Sequence, residues 1–109
     1  MAAKENENIM AAAAYLLGWI TGLIFLLIEK DSKFVRFHAM QSVILFGGLH
    51  IAMIVLGLIP FLGPLVGMLL ALAAFILWIV LMWKAFQGET YKVPYIGELA
   101  EKQLAKMKK

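Results

Sequence analysis

Cysteine is absent from the 109-residue chain, which excludes disulfides, thiolate nucleophiles and Cys-ligated metals and leaves the redox compartment unmarked. Charge is scarce too: Asp, Glu, Lys and Arg make up 16% of the residues, against about 25% in ordinary soluble domains. All of them fall within residues 4–7, 29–36 and 84–109. Between these windows, Met10 to Ile28 and Phe37 to Trp83 hold no Asp, Glu, Lys or Arg, and each exceeds the roughly 18 apolar residues that mark a membrane span. Little chain is left outside lipid from which a separate catalytic domain could be built.

What is present is apolar: 63% of the residues belong to the set AVILMFWYC, more than a soluble core of this size can hide. Lipid cannot satisfy an open sheet edge, and the sequence has no period-two alternation from which to close a barrel. The expected fold is therefore an all-α integral membrane protein, one domain over residues 1–109. Met10 to Ile28 as one helix would be about 28 Å long, close to the hydrocarbon thickness of about 30 Å. Its leader Lys-Glu-Asn-Glu-Asn is not net positive and no small-residue cleavage site follows it, so the segment reads as a retained helix and not a signal peptide. Phe37 to Trp83 as one helix would run about 70 Å. Pro60, Gly63 and Pro64 are its one cluster of helix breakers, and they divide it. Three transmembrane helices result, over about 10–28, 39–59 and 61–84.

Beyond Pro94, the residues Ile96, Leu99, Ala100, Gln103, Leu104 and Met107 recur at three and four, the pattern of an amphipathic helix over 94–109. Trp83, Tyr91 and Tyr95 beside it suit the aromatic belt, which places this helix at the cytoplasmic membrane interface. Lys4 alone precedes the first span, and the other nine Lys and Arg flank the first loop and the tail. With three spans this asymmetry puts the N-terminus outside and the C-terminus in the cytoplasm of a prokaryotic plasma membrane. The net charge of +3 thus reads as a topology signal. It forms no aromatic-interleaved stripe for nucleic acid, and the bilayer is the expected partner.

Within the spans His50 is the intramembrane ionisable side chain, and such a residue marks a functional position by default. Equal depth brings Gly18 and Ala74 to its level and Thr21 about one turn nearer the cytoplasm. The imidazole reads first as a neutral spacer bonded to Thr21 or a backbone carbonyl, and second as a proton or substrate contact. Ala14, Gly18 and Gly22, and again Gly63, Gly67 and Ala71, form two small-residue ladders at intervals of four, read as close helix packing. His38, Gln41 and Ser42 make a polar collar where the second span begins, with helix capping as its simplest role. His38 and His50 lie about 18 Å apart along one helix and cannot share a metal. No phosphate loop, activated serine or paired acid is present. The expectation is a non-enzyme without metal or cofactor.

The blocks KFVRFHAMQS and KAFQGETYKVPYIGELAEK, separated by a Pro-Gly hairpin, resemble a family of small prokaryotic membrane proteins of unknown function related to the inner-envelope chloroplast protein-import component. The resemblance covers roughly Asn8 to Lys102. It implies an all-helical membrane fold and, from the chloroplast relatives, a role in a preprotein channel; those relatives are described with four spans where three are read here. The matching positions His38, Gln41, Gly88, Pro94 and Gly97 all fall at the cytoplasmic edge. On this footing the chain reads as a self-associating component of a transport or protein-translocation assembly, with a homo-oligomer or another membrane protein as partner. The alternative is a scaffold whose cytoplasmic helix binds a partner or anionic lipid.

Overall fold

Of the three expected crossings, two form as single helices. The computed structural model describes the backbone of residues 2–107 and the side chains of residues 6–107; Lys108, Lys109 and the Lys4 side chain, which entered the charge argument, lie outside the described residues. Five helices follow one another: α1 (Ala2–Ala13), α2 (Trp19–Ile28), α3 (Lys33–Gly57), α4 (Leu62–Phe86) and α5 (Ile96–Met107). α3 and α4 have 25 residues each and are long and apolar enough to cross a membrane.

The first apolar segment does not cross. It is interrupted between α1 and α2, where Gly18 takes φ 66° and ψ −132°, a conformation open to glycine and strained for any residue with a Cβ. α2 then has ten residues, about 15 Å or half a bilayer, and it runs back toward its origin. Ser32 Oγ donates to the Glu7 carboxylate at 2.8 Å, and Asn8 lies against Gly88 beyond the end of α4. At the other end of the excursion, Gly18 lies against Phe46 and the Trp19 ring stands edge-on to His50. α1 and α2 therefore form a helical hairpin that dips to the level of Phe46 and returns. The single span over 10–28 and the N-terminus opposite the first loop are both corrected. α1 begins at the same end of the molecule as the 29–32 loop and the 87–95 segment, and the turn at Pro60 lies at the other. Length and hydropathy alone fit a span; the backbone at Gly18 decides for a turn.

One consequence is electrostatic. Every Lys and Arg whose backbone is described lies in α1, the 29–32 loop, the first turns of α3, the last turn of α4 or the segment beyond it, so Lys4, the one exception in the nine-to-one reading of the sequence, joins the others at one end. The opposite end, Leu58 to Leu62, carries no charge and exposes Leu58 and Phe61 at 79% and 94%.

α4 and α5 start from the same short turn. Ile59-Pro60-Phe61-Leu62-Gly63 and Val93-Pro94-Tyr95-Ile96-Gly97 share the pattern aliphatic, proline, aromatic, aliphatic, glycine. In both the aromatic residue takes φ 67° and the next N–H bonds back to the proline carbonyl at 2.7 Å. This is the rare, strained γ-turn. The glycine that follows has no room for a Cβ: at Gly63 it would overlap the Leu56 carbonyl oxygen, and at Gly97 it would lie 2.5 Å from the Lys92 Cβ.

Packing gathers at the polar end. Ala11, Tyr15, Val35, Leu45, Leu81, Ala85 and Val93 form one buried cluster, while Ala14, Leu26, Phe37, Ala39, Met40 and Ala100 form a second beneath α5. The first small-residue ladder comes apart into separate roles, because a spacing of four shares a face only on an unbroken helix, whereas Gly63 and Gly67 of the second stay on one face of α4 toward α3. Ala14 is buried in the second cluster and Gly18 makes the turn. Gly22 brings α2 onto α3, where a Cβ would lie 2.8 Å from the Ala39 oxygen. Gly63 serves the α4 turn, Gly67 faces only the Met53 methyl at 3.7 Å, and Ala71 borders an open groove.

Two outcomes test this fold. In the Cys-free background, single cysteines at Asn6, Asp31 and Glu98 should react with an impermeant thiol reagent from one side of the membrane, and a cysteine at Phe61 only from the other. Gly22→Ala and Gly63→Ala should each lower stability by about 1–3 kcal/mol, the usual cost of overpacking a close contact. Gly67→Ala should fall within about 0.5 kcal/mol of the parent in detergent melting.

Candidate functional site

A buried hydrogen-bond network joins the two sequence blocks. The chain leaves α4 through a cap in which the Gly88 N–H bonds to the Ala85 oxygen and the Glu89 N–H to the Lys84 oxygen, both at 3.0 Å. Gly88 has φ 85°, the left-handed residue such a cap requires. The chain then runs without helix from Glu89 to Val93 alongside α3, and beyond the Glu89 N–H and the Val93 carbonyl, which bond to neighbouring backbone, its peptide groups depend on side chains for partners.

Side chains of α3 supply them. The Gln41 amide behaves like a stretch of backbone: Oε1 accepts from the Val93 N–H at 2.8 Å and Nε2 donates to the Tyr91 carbonyl at 3.0 Å. Nε2 also donates to the Tyr15 hydroxyl at 2.8 Å. His38 holds the Glu89 carbonyl through Nε2 at 2.9 Å. A carbonyl can only accept, so Nε2 carries the proton and Nδ1 accepts the Tyr15 hydroxyl proton at 2.6 Å. Tyr15, His38 and Gln41 are each fully buried, and among the described residues no buried side-chain nitrogen or oxygen lacks a partner.

The tip of the first hairpin is satisfied in the same manner. Ser42 Oγ donates to the Gly18 oxygen at 2.9 Å, Trp78 Nε1 to the Tyr15 oxygen at 2.6 Å, and Thr21 Oγ1 to the Ala14 oxygen at 3.1 Å. Thr21 also accepts the Leu17 N–H at 3.0 Å. Irregular backbone near membrane depth is tolerated only where protein meets these needs. Nearer the surface, Arg36 Nη1 takes the carbonyls of Leu26 and Glu29 at 2.9 and 2.7 Å, closing the end of α2.

His38, Gln41 and Ser42 are thus brought into one place, with Gly88, Pro94 and Gly97 shaping the segment that they hold. Gly97 lets α5 approach, since a Cβ there would lie 3.1 Å from Gln41 Oε1. Tyr15, Trp78 and Arg36 were not singled out in the sequence. The available signal was a tyrosine and a tryptophan inside apolar runs, whose polar tips need partners when buried. Chemically the network is a latch: both His38 nitrogens are occupied, so the imidazole has none to present to a substrate.

His50 stands apart. Thr21 serves the hairpin and does not reach it, which corrects the expected bond. His50 is exposed and borders a groove of about 460 Å³ beneath the hairpin tip, shared with Gly18, Trp19, Met53, Ala74, Phe75 and Trp78. Gly18 and Ala74 line the same groove as His50, with Gly18 against Phe46, one helical turn nearer the charged end. Among the described residues, no group of three His, Cys, Asp or Glu is arranged to hold a metal.

The arrangement defines an all-helical membrane protein in which one long apolar helix, α3, holds the first hairpin and the segment before α5. The chain belongs to the family described as the magnetosome magnetite crystal formation proteins, whose sequence profile matches residues 6–100. That range includes the hairpin at Gly18 and the whole network. Its relatives include UPF0132 membrane protein MJ1443 of Methanocaldococcus jannaschii, 56% identical over 96 residues, covering 88% of this chain and 86% of the relative. A UPF0132 membrane protein of Archaeoglobus fulgidus is 49% identical over 99 residues, covering 91% of this chain and 96% of the relative. Another from M. jannaschii, MJ1527, is 47% identical over 102 residues, covering 94% and 73%. No solved structure matches the chain.

Removing the latch should release the segment it holds. Gln41→Leu orphans the Val93 N–H and the Tyr91 carbonyl, at about 1–3 kcal/mol for each buried group. The expected result is a lower melting temperature together with new protease cleavage between Gly88 and Tyr95. Tyr15→Phe leaves His38 Nδ1 without its donor and should cost about 1–3 kcal/mol with the segment still protected, because both Gln41 bonds to it survive.

Proposed function

We propose that this protein is a non-enzymatic, self-associating component of a transport or translocation-related assembly in a prokaryotic plasma membrane, with both termini in the cytoplasm. The orientation rests on the gathering of Lys and Arg at one end, the cytoplasmic mark in short membrane proteins. Self-association rests on His50. An ionisable side chain on a membrane-spanning helix faces a bundle interior or a water-filled cavity, yet in a single chain His50 borders an open apolar groove with no hydrogen-bond partner among the described residues. A neighbouring chain against α3 and α4 meets that need. Apolar exposure does not, since lipid covers it equally well.

The transport reading draws on the resemblance to the chloroplast import relatives and on the hairpin that turns back at Gly18, a device suited to burial in protein or to lining an aqueous cavity. The scaffold reading loses ground for a protein partner because part of the apolar face of α5 is taken up within the chain: Gly97 and Ala100 are buried and Leu104 packs beside Phe37 and Met40, while Leu99 and Met107 stay exposed. The mineral chemistry named in the family description has no evident donor set among the described residues.

The test is disulfide crosslinking of a single cysteine at Met53, on the wall of the groove, in native membranes. A covalent dimer is expected, with yield retained in His50→Gln and reduced several-fold in His50→Leu. A chain that stays monomeric, or yields indifferent to His50→Leu, would overturn self-association. Solute or ion flux through liposomes holding the purified protein then separates a transport component from an inert scaffold.

A further inference from the structure

A second cleft lies at the polar end, between the start of α3 and the outer half of α5. Its volume is about 460 Å³, within the range of sites for small ligands. Phe34, Phe37, Leu104 and Ala105 form an apolar floor, and Lys33, Arg36, Thr90 and Glu101 form the rim. The acid on this rim is already matched, because Lys92 Nζ holds Glu101 Oε2 at 2.7 Å. Neither Lys33 nor Arg36 has a carboxylate partner among the described residues. Arg36 is also pre-oriented: Nη1 is pinned by two backbone carbonyls, which leaves Nε and Nη2 without acceptors among the described residues. Both cations belong to the first turn of α3, whose dipole adds positive potential.

We propose that this cleft binds the headgroup phosphate of an anionic phospholipid, with Lys33 and Arg36 on the phosphate and an acyl chain over Phe34, Phe37 and Leu104. The apolar floor selects a lipid over free phosphate, since a small anion would leave those side chains in water. Charge complementarity selects an anionic over a zwitterionic lipid, whose choline would meet the same cations. The cleft opens where the charged end of the molecule gives way to the apolar helices, the depth at which lipid phosphates lie. Bound lipid would brace α5 against α3 from outside, opposite the latch at Gln41. The site is independent of self-association through the groove at His50.

The experiment titrates short-chain phosphatidylglycerol, phosphatidylcholine and inorganic phosphate into the full chain in neutral detergent, with melting temperature as the readout. Phosphatidylglycerol should raise it saturably and the other two should not. Lys33→Glu, exposed and in a helix turn that favours an acid, should fold normally and weaken the apparent affinity about tenfold or more, as expected for the loss of a charge-assisted bond. Ala105→Trp, which fills the floor without altering charge, should weaken it comparably. Lys106→Glu, an equal charge change outside the cleft, should leave it unchanged. Equal stabilisation by phosphatidylcholine, substitution by inorganic phosphate, or equal losses in Lys33→Glu and Lys106→Glu would each overturn the site.

Discussion

The polar end of this protein depends on one constraint: peptide groups that leave helical hydrogen bonding next to lipid must find partners, or cost several kcal/mol each. Gln41 meets the constraint most directly. One amide reproduces the donor and acceptor pair of a neighbouring strand and fixes Tyr91 and Val93 against α3. Its remaining hydrogen ties Tyr15, and through it His38, into the same network. Because these residues come from α3 and from the hairpin between α1 and α2, the bonds that hold the segment before α5 also set where the first hairpin turns. Such coupled networks are worth more intact than the sum of their parts.

The hairpin shows the same constraint from the other direction. Around the interruption at Gly18 the carbonyls of Ala14, Tyr15 and Gly18 each receive a side-chain donor, Thr21 from within the hairpin, Trp78 from α4 and Ser42 from α3, and those of Tyr15 and Gly18 accept a backbone N–H as well. The turn exists because α3 and α4 present those donors at the right height. The half-depth hairpin leaves the far half of the two crossing helices uncovered, with His50 on the open groove. It also returns the start of α1 to the charged end, so that every Lys and Arg whose backbone is described lies there.

Much of the site was legible before the fold. His38, Gln41 and Ser42 stand out as polar residues at the edge of an apolar run, and Gly88, Pro94 and Gly97 as breakers flanking a short polar stretch. Their physical signatures are local, so they can be read from position alone. Tyr15 and Trp78 could not be, since each looks like an interfacial aromatic until a specific carbonyl or imidazole is placed beside it. The two turns built on Pro60 and Pro94 were open to discovery as an internal repeat of five residues. Singly, Pro60 signals a breaker and Pro94 a helix start.

By itself the sequence determined the solvent, the helical class, the two full crossings with the turn at Pro60, and the segregation of charge. These follow from sums over composition and length, which do not depend on where the chain goes next. Only the tertiary structure decided that Met10 to Ile28 turns back halfway. An apolar stretch of about 28 Å satisfies lipid equally as one crossing or as two half-crossings. The choice falls to Gly18 and to three donors, Thr21, Ser42 and Trp78, two of which reach it from distant segments. Hydropathy records how much of a chain lipid will accept; which peptide groups lose their helical partners, and which side chains replace them, is fixed by contacts between residues far apart in sequence.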